Sequence, residues 1–314
     1  MLDYPKASYT ELKDYKAPLN SYFHRISMSD SKKIRLFYCK PENIEKSKGT
    51  ILLQQGHNEF IEKYFELIEE FKQRGYSVVS FDWRGQGLSD RMINNTNKQY
   101  IENFDIYNDD LTFIMDEIIH KNFPKPLIGF GHSMGGCIML SSLQKHSNDF
   151  DSMILSAPML GFRNENILSF IFKILYPFVN KSNFMIGSKP NMGKEITFEK
   201  NDLTSDKNRY LRTQKLVRNC PKLRLWGVTY RWVNAALKRL NYIRKSNWLK
   251  EIDTKVLILN SISDKVVDSS KTLELSKRIK NCKIINFEEV EHEIYLEKDI
   301  YRNLMWQQID NFIK

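Results

Sequence analysis

A five-residue stretch, Gly131-His132-Ser133-Met134-Gly135, constrains the fold of this chain more than any other. The run before it, Leu127 to Phe130, is short and apolar, as a buried strand is. The run after it, Cys137 to His146, repeats apolar residues at helical spacing (Ile138, Leu140, Leu143). Ser133 therefore stands in a strand-to-helix turn, and glycines at 131 and 135 leave room for that turn to be very tight. Such a nucleophile elbow lifts a serine hydroxyl above a sheet and points a helix N-terminus at it.

The rest of the chain supplies the sheet. Residues 22–28 and 34–39 flank the polar turn Ser29-Asp30-Ser31 and predict an antiparallel hairpin. Apolar runs at 50–54, 76–81, 153–157, 255–259 and 283–287 predict buried strands. Helical periodicity separates several of them, at Ile61 to Phe71, at 106–120, and at the C-terminus from Leu304 to Ile313. Strands apolar on both faces, alternating with helices, predict a mostly parallel sheet flanked by helices. Residues 159–248 break that rhythm with aromatic and basic residues in short helical patterns, among them Phe170, Phe172, Tyr176, Phe178, Trp226, Tyr230 and Trp232. They predict a helical cap inserted into a core made of residues 1–158 and 249–314.

Composition narrows the setting. No run approaches the roughly 20 apolar residues of a membrane span, and the first residues carry no apolar signal region, so a cytoplasmic protein is expected. Four scattered cysteines (39, 137, 220, 282) predict reduced thiols and no disulfide framework. Between 160 and 250 there are 19 Lys and Arg against 5 Asp and Glu, so the rest of the chain is mildly acidic under a total charge of +10. A basic segment on an acidic body suits peripheral contact with an anionic membrane surface. The plainer alternative is a solvated lysine-rich face. No nucleic-acid-binding motif accompanies the charge.

A serine nucleophile needs a base within hydrogen-bonding reach and a carboxylate that orients the base. In this architecture the order is serine, acid, histidine. Of the two histidines after Ser133, His146 comes too soon for a separate strand to supply the acid, which leaves His292. Among the earlier histidines, His132 is expected to pack within the elbow and His120 to cap a helix end. The acid belongs after the preceding strand. Asp264 lies in that loop, with Asp268 as the alternative, equally suited to N-cap the next helix. The tetrahedral intermediate needs two N–H donors: Met134 from the elbow helix, and His57 from the loop after strand 50–54. Asp82-Trp83-Arg84-Gly85-Gln86-Gly87 reads as architecture, since its glycines lack the further residues of a phosphate-cradling loop.

Together Gln55-Gly56-His57-Asn58-Glu59, Asp82 to Ser89, Gly131 to Gly136, Ser263 to Val267 and Glu291-His292-Glu293 resemble the α/β-hydrolase fold. They look closest to its bacterial lysophospholipases and monoacylglycerol lipases, grouped with serine aminopeptidase-like hydrolases. The resemblance implies triad roles for Ser133, Asp264 and His292, and an oxyanion hole from the backbone of Met134 and His57. Many relatives begin the oxyanion loop with His-Gly, where this chain has Gln55-Gly56. The expected activity is release of a fatty acid from a single-chain lipid ester, most simply a lysophospholipid, with no metal or organic cofactor. Alternatives are a monoacylglycerol lipase, a general carboxylesterase, and a non-catalytic ligand-binding relative. A serine aminopeptidase would need an acidic cluster in the cap to hold a free amine, and the sequence shows none.

Overall fold

The computed structural model describes residues 2–186, 188 and 194–314. Eight strands form one twisted sheet: β1 (Ser21–Ser27), β2 (Lys33–Cys39), β3 (Thr50–Gln54), β4 (Ser77–Phe81), β6 (Leu127–His132), β7 (Ser152–Ser156), β9 (Lys255–Ser261) and β10 (Cys282–Phe287), with the two-residue strands β5 (Lys98–Gln99) and β8 (Gly227–Val228) paired apart from it. Their order is β1-β2-β4-β3-β6-β7-β9-β10. The hairpin β1–β2 is antiparallel within itself and to β4, and every pairing beyond β4 is parallel.

The interior strands bury alternate residues in two different cores. Ile51 and Leu53 of β3, with Leu257 and Leu259 of β9, face one core; Leu52, Val256 and Ile258 face the other. The first core is closed by α1 (Phe65–Gln73) and by α9 (Asp299–Phe312), which contribute Phe71 and Trp306. The second is closed by α2 (Asp105–Ile114), α4 (Ser133–His146) and α8 (Ser269–Ser276). The chain from α2 runs through a π-turn at Met115–Ile119 into a final turn, α3 (His120–Asn122), where the periodicity predicts an uninterrupted helix.

Among the described residues, 159–248 contribute no strand to the eight-stranded sheet. Among the described residues they form α5 (Glu165–Leu175), α6 (Lys207–Asn219) and α7 (Tyr230–Lys245), and they supply β8. Positions 187 and 189–193 of this segment lie outside the described residues. α6 is riveted to the core: Arg209 donates to Glu66 and Asp299, Arg212 pairs with Glu66, and Thr204 and Ser205 bond the Leu296–Glu297 turn. The aromatic residues of the segment do not share one role. Trp232 and Tyr230 pack into the core, whereas Phe170 and Phe178 are 65% and 87% exposed. Composition predicts aromatic content but not which way each ring faces.

Candidate active site

Ser133 is the first residue of α4 and takes a left-handed backbone conformation, φ 49°. A non-glycine residue held there is strained, and tight packing around the elbow over-determines it. A Cβ added to Gly135 would lie 2.5 Å from the Gln55 carbonyl oxygen, and one on Gly131 would lie 2.8 Å from Gly136 Cα. These two glycines let α4 sit directly against β6 and the loop after β3.

His292 and Asp264 lie in the loops after β10 and β9. His292 Nε2 is 2.9 Å from Ser133 Oγ, and His292 Nδ1 is 2.6 Å from Asp264 Oδ2. All three side chains are buried. With the carboxylate accepting, Nδ1 carries the proton and Nε2 is free to accept from the serine hydroxyl. Burial pushes the Asp264 carboxyl up, but its bond to His292 and the N–H groups of Val266 and Val267 outweigh this, leaving it below its ordinary value. The His292 loop is pinned on both sides: Glu291 N–H donates to Glu297, and Glu293 N–H donates to the Leu203 carbonyl of the inserted segment. Asp268 caps α8, accepting from the N–H groups of Ser270 and Lys271. His132 packs within the elbow with its Nδ1 3.1 Å from the Ser156 carbonyl, and burial pushes it down to about 3, so it is a neutral neighbour of His292. His120 is the C-cap of the Met115–Ile119 turn, its N–H donating to the Met115 carbonyl, and its ring lies 3.6 Å from Asp116 and 3.8 Å from Asp149.

Of the three N–H groups at 56–58, two are already engaged. Gly56 donates to Glu59 and Asn58 donates to Gln86 Oε1. His57 N–H has no acceptor among the described residues. Met134, in the first turn of α4, has an N–H beyond the reach of any intrahelical acceptor. Gln86 Nε2 also donates to the Gly56 carbonyl at 2.8 Å, and Trp83 Nε1 donates to that of Gln55 at 2.9 Å. The Asp82–Gly87 stretch is thus architecture that reaches the site. Its aspartate accepts from Arg35 and from the N–H groups of Ile61 and Leu88. Asn58 clamps the inserted segment from the same loop, accepting from Leu225 N–H and donating to the Leu225 carbonyl.

Behind His292 lies a buried ionic cluster that sequence reasoning missed. Lys63 donates to Glu59 at 2.6 Å and to Glu293 at 2.5 Å, while Tyr64 and Tyr295 also donate to Glu59. Burial pushes Glu59 up, yet the Lys63 charge and the bonds from Lys63 and Tyr64 hold its carboxyl well below the usual range. Burial pushes Glu293 up to about 7 against the pull of Lys63, with the Glu59 charge adding to the rise. Glu59, His132 and Glu293 present ligand atoms within 4.8 Å of one another, a spacing that suits a metal. The Lys63 ammonium bonds both carboxylates, so the chain supplies its own cation there. The helical spacing of Glu59 and Lys63 was the signal available in the sequence.

A cavity of about 250 Å³ opens beside Ser133 and His292. Its far wall comes from the inserted segment, through Ile196, Leu203, Tyr210, Gln214, Val217 and Arg224. None of the seven aromatic residues that mark this segment in the sequence lines it. The arrangement suits attack by a serine on an acyl carbonyl in a partly apolar, water-restricted space.

The sequence and the fold are both similar to those of known proteins. The chain is 26% identical to a probable lysophospholipase L2 of Haemophilus influenzae over 94% of both chains. It is also 26% identical to lysophospholipase L2 of Escherichia coli over 83% of this chain and 79% of that one. The structure overlays a soluble variant of monoglyceride lipase from Saccharomyces cerevisiae with a TM-score of 0.75 at 19% identity, covering 96% of this chain and 99% of that one, which shows a shared α/β-hydrolase fold. The family described as serine aminopeptidase, S33 matches residues 45–299. Because that match takes in the elbow and the loops bearing Asp264 and His292, and most of the chain around them, this protein belongs to the serine aminopeptidase S33 family of α/β-hydrolases.

Proposed function

We propose that the protein is a serine ester hydrolase that releases the fatty acid from single-chain lipids, with lysophospholipids as its preferred class. Residues 159–248 act as its cap, and 1–158 with 249–314 as its core. Ser133 attacks the acyl carbonyl as His292 takes its proton, and Asp264 holds the imidazole and stabilises the charge that forms on it. The oxyanion points to the N–H groups of His57 and Met134. The glycerol-bearing alcohol leaves with the proton from His292, and water activated by the same histidine releases the fatty acid.

The observation that carries this function is the buried Ser133–His292–Asp264 chain opening on a cavity whose cap wall bears Arg224 and, among the described residues, no carboxylate. A free amino terminus would need an anion there, which disfavours an aminopeptidase despite the family description. The names of the relatives support the ester reading, since they include lysophospholipases and monoglyceride lipases.

No helix among the described residues is long and apolar enough to cross a membrane. The lipid-facing surface is the outer side of α5, where Ile167, Phe170, Ile171 and Ile174 are exposed and Phe178 follows. The exposed charges between 163 and 186 are Arg163, Lys173 and Lys181, all cationic, since Glu165 is buried against Arg244. An apolar strip with a cationic rim suits an anionic bilayer surface.

Fatty-acid release from matched lysophosphatidylethanolamine, lysophosphatidylcholine, monoacylglycerol and a short aryl ester tests the proposal. The lysophospholipids are expected to lead, and Ser133→Ala to lower every rate by about 10⁴-fold or more. Turnover confined to the neutral substrates would move the function to a lipase or carboxylesterase. Failure of both turnover and fluorophosphonate labelling at Ser133 would remove the enzyme altogether.

A further inference from the structure

The cavity beside Ser133 holds one cation that the ester chemistry leaves without a counter-charge. Arg224 follows the short turn Pro221–Leu223 and lines the same space as Ser133 and His292. Its guanidinium donates to Gln214 Oε1 at 2.5 Å, a neutral acceptor on a buried side chain of α6. No carboxylate among the described residues pairs with it. The remaining charges of the cavity wall are committed, because Lys63 sits between Glu59 and Glu293. Burial pushes the Arg224 guanidinium down from its ordinary value, only partly offset by Tyr210 and by Glu195, which is itself bonded to Arg218.

A partly buried guanidinium with a neutral partner has given up hydration without gaining an opposite charge. Such a group recovers that loss when an anion enters, and its planar fork matches two oxygens of a phosphate. Gln214 holds one edge of the fork and leaves further N–H groups for a ligand. Elsewhere on the wall Ile196, Leu203 and Val217 suit an acyl chain or glycerol carbons.

We propose that Arg224 receives the phosphodiester of a lysophospholipid head group while the ester lies against Ser133, and so selects phosphate-bearing single-chain lipids over monoacylglycerols. This rests on the ester-hydrolase function above. The carboxylate of a released fatty acid shares the same anionic chemistry, and the test separates the two.

For wild type, Arg224→Gln and Arg224→Lys, kcat/KM is measured on lysophosphatidylethanolamine and on the monoacylglycerol of equal chain length. Inhibition of aryl-ester hydrolysis by sn-glycero-3-phosphoethanolamine and by decanoate is measured alongside. The lysophospholipid-to-monoacylglycerol ratio is expected to fall about 30-fold in Arg224→Gln, mainly through KM, and to recover in large part in Arg224→Lys. Inhibition by the glycerophospho compound is expected to fall with it. An unchanged ratio overturns the proposal, as does loss of decanoate inhibition with glycerophospho inhibition retained. Should Arg224→Gln fail to fold, the wild type still decides, because absence of glycerophospho inhibition overturns the phosphate site without any variant. A wild type that spares lysophospholipids yet is inhibited by the glycerophospho compound through Arg224 overturns the function proposed above and keeps the phosphate site.

Discussion

The carbonyl of Gly56 and the N–H of His57 belong to one peptide plane and point in opposite directions. The bond that Gln86 Nε2 donates to that carbonyl therefore also aims the N–H. Gln86 holds the plane a second way, by accepting from Asn58 N–H at 3.1 Å. Its fully buried amide would position the N–H proposed above as an oxyanion donor. Gln86→Leu is expected to lower kcat by about tenfold to a hundredfold, with KM changed less than about threefold. Steady-state kinetics on the aryl ester, with melting curves beside them, check this; an unaltered kcat would show that the loop holds its shape without Gln86. A buried carbonyl and a partly buried N–H also lose their partner, so a stability loss of about 1–3 kcal/mol is expected.

At the scale of elements, α5 separates two ways in which a surface can meet lipid. Charge counting along the sequence predicts attraction that disappears as salt is raised. The exposed Phe170 and Phe178 add a contribution that salt does not screen. Phe170→Asp with Phe178→Asp is expected to weaken binding to anionic vesicles at least about tenfold, read by sedimentation at low and high salt. Equal binding by wild type and the double variant at both salts would rule out α5 as the lipid-facing element. Most elements were legible because hydrophobic period and turn residues are local signals, and Ser133, Asp264 and His292 were legible because strand order spaces them along the chain. Gln86, Lys63 and Arg224 were not. Lys63 meets Glu293 across 230 residues of sequence, and only the closed sheet brings them together. Arg224 is one of many basic residues in its segment until burial separates it from the solvated ones.

For the whole molecule, the Glu293 carboxyl links acidity to stability. Its ordinary value is 4.5, and burial in the folded protein pushes it up to about 7. Between those values the folded state holds a proton that the unfolded chain has released. The stability this group contributes is complete below 4.5 and is lost as pH rises through about 7. Glu293→Gln, neutral at every pH, is expected to gain on the wild type in melting temperature as pH rises from about 5.5 to about 8. A constant difference across that range would mean that Glu293 does not titrate there.

The clamp between Asn58 and Leu225 bears on how such a molecule changes over generations. Asn58 reads only the main-chain N–H and carbonyl of Leu225, groups that any residue except proline can offer. The grip between the loop after β3 and residues 159–248 is therefore indifferent to which side chain stands at 225. It demands only that the chain pass through that point on the same path. Such a segment can be rewritten almost letter by letter, with new pockets and new surfaces, while its registration against Ser133 is kept.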